Sequence, residues 1–270
     1  MEFTNFFVVY DPTSEAQPAL ERAAYIASET GVNVHVFACI YKDIPKNTEK
    51  PGIVRSLIED QKAMLQKEAA PLVAKGLNVS VEVDWDKDWC EAIVRASIKN
   101  GADIVLKSST PHTPGQRIIN RTSDWTLIRE CACPVMLVKG EAVPDNPTVL
   151  AAMGVSGGKG TYKQLNQHIV EFSRRVMDNN IADVHFISAH RDLASAPDRN
   201  ALVRNYGLDQ SKVHIRMGEP DEVIVEKARE MNASLVVIGN SARSGVSALV
   251  NGNTVERVVD KLNCDVLSMP

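Results

Sequence analysis

The residues best suited to chemistry follow the apolar run LVVI: GNSARSGVSALVNGNT, residues 239 to 254. Small residues let backbone N–H groups close around an anion, and the N-terminus of a following helix adds a favourable partial charge. Gly239, Gly245 and Gly252 would allow close approach, and Asn253 and Thr254 would add side-chain donors at the helix start. The spacing is not a P-loop, because no Gly-Lys-Ser/Thr follows, nor is it G-x-G-x-x-G. The same residues also suit a plain strand-to-helix turn with a capped helix, and both readings stand at this point. A second glycine-rich stretch, GVSGGKG at 154 to 160, offers Lys159 to an anion or serves as a linker.

Such a loop needs a strand before it and a helix after it, and the whole chain alternates in that way. FFVVYD, VNVHVFACI, VSVEVDW, DIVLKS and PVMLVK read as strands, separated by helix-like runs at Gln17 to Thr30, Ile53 to Lys75, Cys90 to Asn100 and Ser123 to Cys131. TVLAAMGV, DVHFISAH, KVHIRMG, LVVIG and DVLSM repeat the order, with helices expected at Tyr162 to Asp178, Asp198 to Tyr206, Asp221 to Met231 and Thr254 to Leu262. This alternation argues for an α/β fold with parallel sheets covered on both faces. The halves are copies: CEAIVRASIKNGADIVL lies on DEVIVEKAREMNASLVV at a constant offset of 131, without a gap from Cys90 to Lys139. The offset at the front of each half is 143, which sets Asp11 opposite Gly154, and the second half has a reduced second helix. The expected domains are 1–140 and 146–270, joined by GEAVPDNP at 140 to 147.

VVYDPT, GEPDEVIVEKAREMNASLVVIG and GNTVERVVDKLNCDVL, with DPTSEAQPALERAAYI and RTSDWTLIRECACPVMLVK in the first half, resemble the universal stress protein family in its tandem form. The family's loop reads G-x2-G-x9-G-S/T. Gly239 and Gly252 match its first and last glycines, while Ala242 replaces the second glycine and Asn253 the Ser/Thr. The resemblance implies two Rossmann-like domains of the adenine nucleotide alpha hydrolase-like kind, each with a five-stranded parallel sheet of order 3-2-1-4-5. It implies an internal pseudo-dimer, with a homodimer as a further option, and a ligand that is ATP or another adenine nucleotide, with or without Mg. The candidate ligand-binding residues are Gly218, Gly239, Ala242, Arg243, Gly245, Gly252, Asn253 and Thr254. The first half has no glycine at the loop positions: Ser108, Pro111, Pro114, Arg121 and Thr122 stand there, and its prolines remove backbone donors. The terminal Asp of the first strand, which lies near adenine in nucleotide-binding relatives, is present as Asp11 but replaced by Gly154 in the second half. Neither half holds the full set, and binding is expected only in the second.

Three functions remain open: stress response through regulated nucleotide binding, a slow ATPase or nucleotide-dependent switch, and a carrier of another small anion. No Ser-His-Asp order, acidic pair or metal set argues for catalysis. Cys131 and Cys133 lack C-x-x-C spacing and read as packing, and five cysteines suit reduced thiols in a cytoplasm. The six histidines, His35, His185, His190 and His214 among them, read as packing or surface residues. DWDKDW, Asp84 to Trp89, reads as a solvated loop or a pocket wall. A formal charge of −4 argues against a nucleic-acid partner. No apolar run suits a membrane span, and the amino-terminal residues do not resemble a secretory leader.

Overall fold

The structure, a computed structural model, describes residues 3–45, 50–109, 123–140, 142–154, 160–240 and 254–270. The chain divides into two compact units, residues 2–140 and 141–270.

In the first unit the order is β1 (Asn5–Val9), α1 (Pro18–Thr30), β2 (Asn33–Ile40), α2 (Lys50–Ala74), β3 (Val79–Trp85), α3 (Trp89–Lys99), β4 (Ile104–Ser108), α4 (residues 123–130) and β5 (Val135–Val138). Its strands stand in the order β3-β2-β1-β4-β5, and each adjacent pair is parallel. β1 is central, so both its faces are covered, and Phe6, Phe7, Val8 and Val9 are all buried. Burying each such side chain stabilises the fold by about 1.5–3 kcal/mol. Phe7 meets Phe37 of β2 with ring centroids 5.3 Å apart, tying the central strands together.

Local signals set the helix ends. α1 starts with Pro18 in its first turn, where no backbone donor is needed, and stops at Gly31, whose φ of 73° lets its N–H reach Ala27 O at 2.8 Å. Asp88 caps α3 by accepting from the Glu91 N–H at 3.1 Å. Thus DWDKDW carries the solvated strand-to-helix connection expected of it, with Lys87 and Asp88 exposed and Asp88 capping the helix. Asp86 joins it by receiving Arg95 at 2.5 Å.

The second unit runs β6 (Thr148–Ala152), α5 (Gly160–Asp178), β7 (Asp183–His190), α6 (Arg199–Tyr206), β8 (Val213–Met217), α7 (Pro220–Glu230), β9 (Leu235–Gly239), α8 (Thr254–Lys261) and β10 (Asp265–Met269). Its order is β8-β7-β6-β9-β10, again with parallel pairs. Both units therefore have the order 3-2-1-4-5. The offset of 131 carries α3 onto α7, β4 onto β9 and α4 onto α8. The units differ beside the edge strands. α2 spans 25 residues and packs along β3, whereas its counterpart α6 spans 8 and buries none of its residues. α2 begins at Lys50, ahead of the expected Ile53, and runs through Pro71. β6 stops at Ala152, short of the expected run through Met153 and Gly154, because Asn166 claims both backbone groups of Gly154.

Candidate functional site

In each unit the connections leave the central strand pair in opposite directions, so the crevice for a ligand opens at the carboxyl ends of β1 and β4, or of β6 and β9. In the second unit β6 and β9 are direct neighbours, with Ala152 beside Ile238. The loops 155–159 and 241–253, which follow these two strands in the chain, lie outside the described residues, so Lys159, Ala242, Arg243, Gly245, Gly252 and Asn253 do too. Gly218, Gly239 and Thr254 remain.

Gly239 ends β9, and a Cβ built on it would stand 2.3 Å from Leu165 Cδ2 of α5. Its missing side chain therefore lets α5 pack on the strand. Gly154 plays a similar part, because a Cβ there would lie 2.4 Å from the Tyr162 ring. The buried Asn166 holds Gly154 from α5, accepting its N–H at 2.9 Å and donating to its carbonyl at 2.9 Å. Gly218 has φ +151° and lies between β8 and α7, with its N–H on His190 O at 2.9 Å. A side chain there would be strained and would also meet Val223 Cγ2 at 2.8 Å. Thr254 is the half-buried first residue of α8. Asn240, which sequence reasoning passed over, is buried at the mouth of the loop, with its N–H on Met269 O at 2.7 Å.

The first unit finishes the same edge differently. Lys107 of β4 and Asp124 of α4 are both buried, and the Lys107 ammonium donates to Asp124 Oδ1 at 2.7 Å and to Ser108 O at 3.0 Å. Ser109 Oγ donates to the other Asp124 oxygen at 2.5 Å, and the ammonium lies 5.7 Å from the Trp89 ring centroid. Ser108 Oγ accepts the Ala19 N–H at 3.2 Å. At the offset of 131 their counterparts are Ile238, Val255, Asn240, Pro220 and Gly239. A buried ion pair thus ties β4 to α4 where the second unit places the buried apolar Ile238 and Val255. Asp11 is also engaged locally, with Oδ1 accepting from Thr13 N at 2.8 Å and Thr13 Oγ1 at 2.6 Å. Gln17 clamps its backbone much as Asn166 clamps Gly154. The Lys107–Asp124 pair was not legible in the sequence, because its two residues lie far apart along the chain on a strand and a helix.

Two histidines have carboxylate partners that the sequence reading did not assign. His35 Nε2 lies 3.3 Å from Glu82 on the neighbouring strand, and His185 Nε2 lies 3.3 Å from Asp183 on its own. His185 also stacks on His214, with centroids 5.2 Å apart and the rings inclined by 16°. Burial lowers the pKa of His35, although Glu82 opposes the shift. Burial pushes Cys39 and Cys90 up to about 11, so both are thiols at neutral pH. Cys131 is fully buried, and all five cysteines are free of disulfides. Among the described residues no three His, Cys, Asp or Glu side chains stand together to hold a metal ion, and no helix is long and apolar enough to cross a membrane.

This doubled unit, with a parallel sheet of order 3-2-1-4-5 in each copy, defines a tandem α/β protein. The profile of the universal stress protein family matches residues 2–139 and 168–270, and the chain belongs to that family. Universal stress protein E of Photorhabdus laumondii is 31% identical over 99% of this chain and 95% of its own length. Universal stress protein E of Escherichia coli K12 is 28% identical over 98% and 93%. The crystal structure of a functionally unknown protein from Pseudomonas aeruginosa PAO1 aligns with TM-score 0.79 at 27% identity, covering 99% of this chain and 92% of its own. A universal stress protein from Archaeoglobus fulgidus shares the fold at TM-score 0.74 and 19% identity over 98% and 95%.

Proposed function

We propose that this tandem protein acts in stress response by binding a small anionic ligand, an adenine nucleotide, at the carboxyl edge of the second unit. The observation that carries this reading is the contrast between the edges. The Lys107–Asp124–Ser109 network ties up charge and hydrogen-bonding capacity at the first edge. At the second, the positions of the ion pair hold the apolar Ile238 and Val255, and the glycine-bearing sequence from Gly239 to Thr254 ends β9 and leads into α8. Phosphate would be held by backbone N–H groups near Gly252, with Asn253 and Thr254 as side-chain donors and Arg243 as a cation. Gly239 and Gly218 would shape the crevice rather than touch the ligand, since their own packing already requires glycine. Mg would accompany the phosphates as their counterion. The reading is of a binding protein rather than a hydrolase: no described residue at that edge is placed as a base for water.

Mass spectrometry of the purified, undenatured protein tests this directly. An adenine nucleotide released on denaturation, or calorimetric binding of added ATP, is the expected result. A protein that releases no anion and gives no heat with ATP would overturn it.

A further inference from the structure

A cavity of about 340 Å³ opens beside the edge strand β8, away from the carboxyl-edge crevice, and is lined by Arg199, Val213, His214, Ile215 and Arg216. No acidic residue lines it. Arg216 is neutralised by Glu230, whose two oxygens it meets at 2.6 and 2.7 Å. Among the described residues Arg199 has no carboxylate partner, and its guanidinium donates to the neutral Gln210 O at 2.5 Å. The matching register of the first unit is opposite in character, with Glu82 and Asp84 of β3 standing where β8 has His214 and Arg216. The second unit has therefore built a basic wall where its sister has an acidic one.

His214 is wired into a short chain. His185 Nδ1 and His214 Nε2 are 3.0 Å apart, and His185 Nε2 lies 3.3 Å from Asp183 Oδ2. Lys212 already donates to both Asp183 oxygens at 2.8 Å. Lys212 Nζ also lies 3.4 Å from His185 Nε2; with Lys212 committed to Asp183 and His185 Nε2–H donating to Asp183, His214 Nε2–H donates to His185 Nδ1. Nδ1 of His214 is then a lone pair on a residue that lines the cavity, ready to take a proton. The charged groups around the pair are Asp183 on β7, Lys212 before β8, Arg216 on β8, Lys227 and Glu230 on α7 and Arg199 on α6. Burial, together with Lys227, His185, Arg216 and Arg199, holds His214 down to about 4, so at neutral pH the ring is uncharged.

We propose that this cavity is a second ligand site, binding a small oxyanion (sulfate, phosphate or carboxylate) between Arg199 and His214, with uptake of a proton by the His214 imidazole. An anion there gives Arg199 its missing counter-charge. It also offsets the cationic surroundings that keep His214 neutral, so binding and protonation favour one another. Arg199 supplies a forked donor suited to an oxyanion, while the fork of Arg216 stays on Glu230, and Val213 and Ile215 limit the anion's size. This inference does not depend on nucleotide binding at the other edge.

Histidine NMR on the full chain, titrated with sodium sulfate at constant ionic strength held with chloride, provides the test. Sulfate keeps its charge between pH 5 and 8, so any proton taken up belongs to the protein. A saturable sulfate effect is expected that raises the His214 titration midpoint and leaves His35 in place. Binding should be several-fold tighter at pH 5 than at pH 7, within the tenfold-per-unit limit of a single linked proton. Arg199→Gln should abolish the effect. His214→Gln should retain weak sulfate binding that no longer varies with pH. The proposal is overturned if chloride alone reproduces the shift, if His214 does not respond, or if Arg199→Gln responds like the parent.

Discussion

At the carboxyl end of β4, Lys107 points its ammonium into a buried carboxylate; at the carboxyl end of β9, the buried Ile238 takes the same position and Val255 of α8 takes that of Asp124. The strands, helices and offset are shared, so the backbone did not decide this difference. It rests on a few side chains: Lys107, Ser109 and Asp124 against Ile238, Asn240 and Val255. The first edge has converted its polar groups into an internal fastener. The second has apolar side chains at those positions, and its α8 is tied instead to α7, where the buried Asp221 meets Lys261 at 2.8 Å and Arg257 at 3.2 Å. One edge is structural and the other is proposed to bind.

The sharpest way to break this contrast is to remove one partner of the fastener. Asp124→Ala leaves a buried ammonium and the Ser109 hydroxyl without their acceptor. Unfolding in urea should show a loss of about 3–5 kcal/mol. Replacing both partners by the second unit's residues, Lys107→Ile with Asp124→Val, should come within about 1 kcal/mol of the parent, because apolar packing often replaces a buried pair at little loss. If the double variant is as unstable as Asp124→Ala, the fastener does more than hold α4 to β4.

A smaller loss is expected on the other side. Gly239→Ala drives a methyl into Leu165 and should destabilise by about 1–3 kcal/mol. Adding Leu165→Ala should recover part of it in a double-mutant cycle. Additive losses would show that Gly239 is glycine for another reason, which would return it to the ligand.

A third effect belongs to His214 of the second unit. His214 titrates near 6.5 when unfolded and at about 4 when folded, so between these values the unfolded chain binds more protons. Stability contributed by the neutral ring is full above pH 6.5 and is lost as pH falls toward 4. His214→Asn should flatten this limb of a melting-temperature profile measured from pH 7 to pH 4.5. An unchanged slope would place the acid sensitivity elsewhere.

Much of the fold was legible, because a gapless run from Cys90 to Lys139 recurs at a fixed offset and the apolar strands alternate with helix-like runs. Strand order followed from the family resemblance, not from spacing. The shortened helix of the second unit was visible as missing residues. The candidate site was less legible. Gly239 looked like an approach for a ligand and Gly154 like a lost aspartate, but their reason lies in Leu165 and Tyr162, residues on α5 that only folding brings close. Lys107–Asp124 and His185–His214 escaped notice because each pair joins elements whose side-chain register cannot be counted along the chain. The remaining loop residues, Ala242, Arg243, Gly245, Gly252 and Asn253, lie outside the described residues and stand on the family's motif.

The smallest expected effect lies in that loop. Ala242→Gly restores the motif's second glycine and should tighten ATP binding several-fold, or about 1 kcal/mol, if a methyl group is the main defect. Equal affinities would show that position 242 does not meet the phosphates.

The central claim, that ligand binding belongs to the second unit alone, is tested most directly by one calorimetric comparison. ATP is titrated into the full-length protein, into Gly252→Ala, and into Arg121→Ala, the matching position of the first unit. A several-fold loss of affinity in Gly252→Ala, with Arg121→Ala equal to the parent, is the predicted result. Loss in Arg121→Ala with Gly252→Ala unchanged would contradict it.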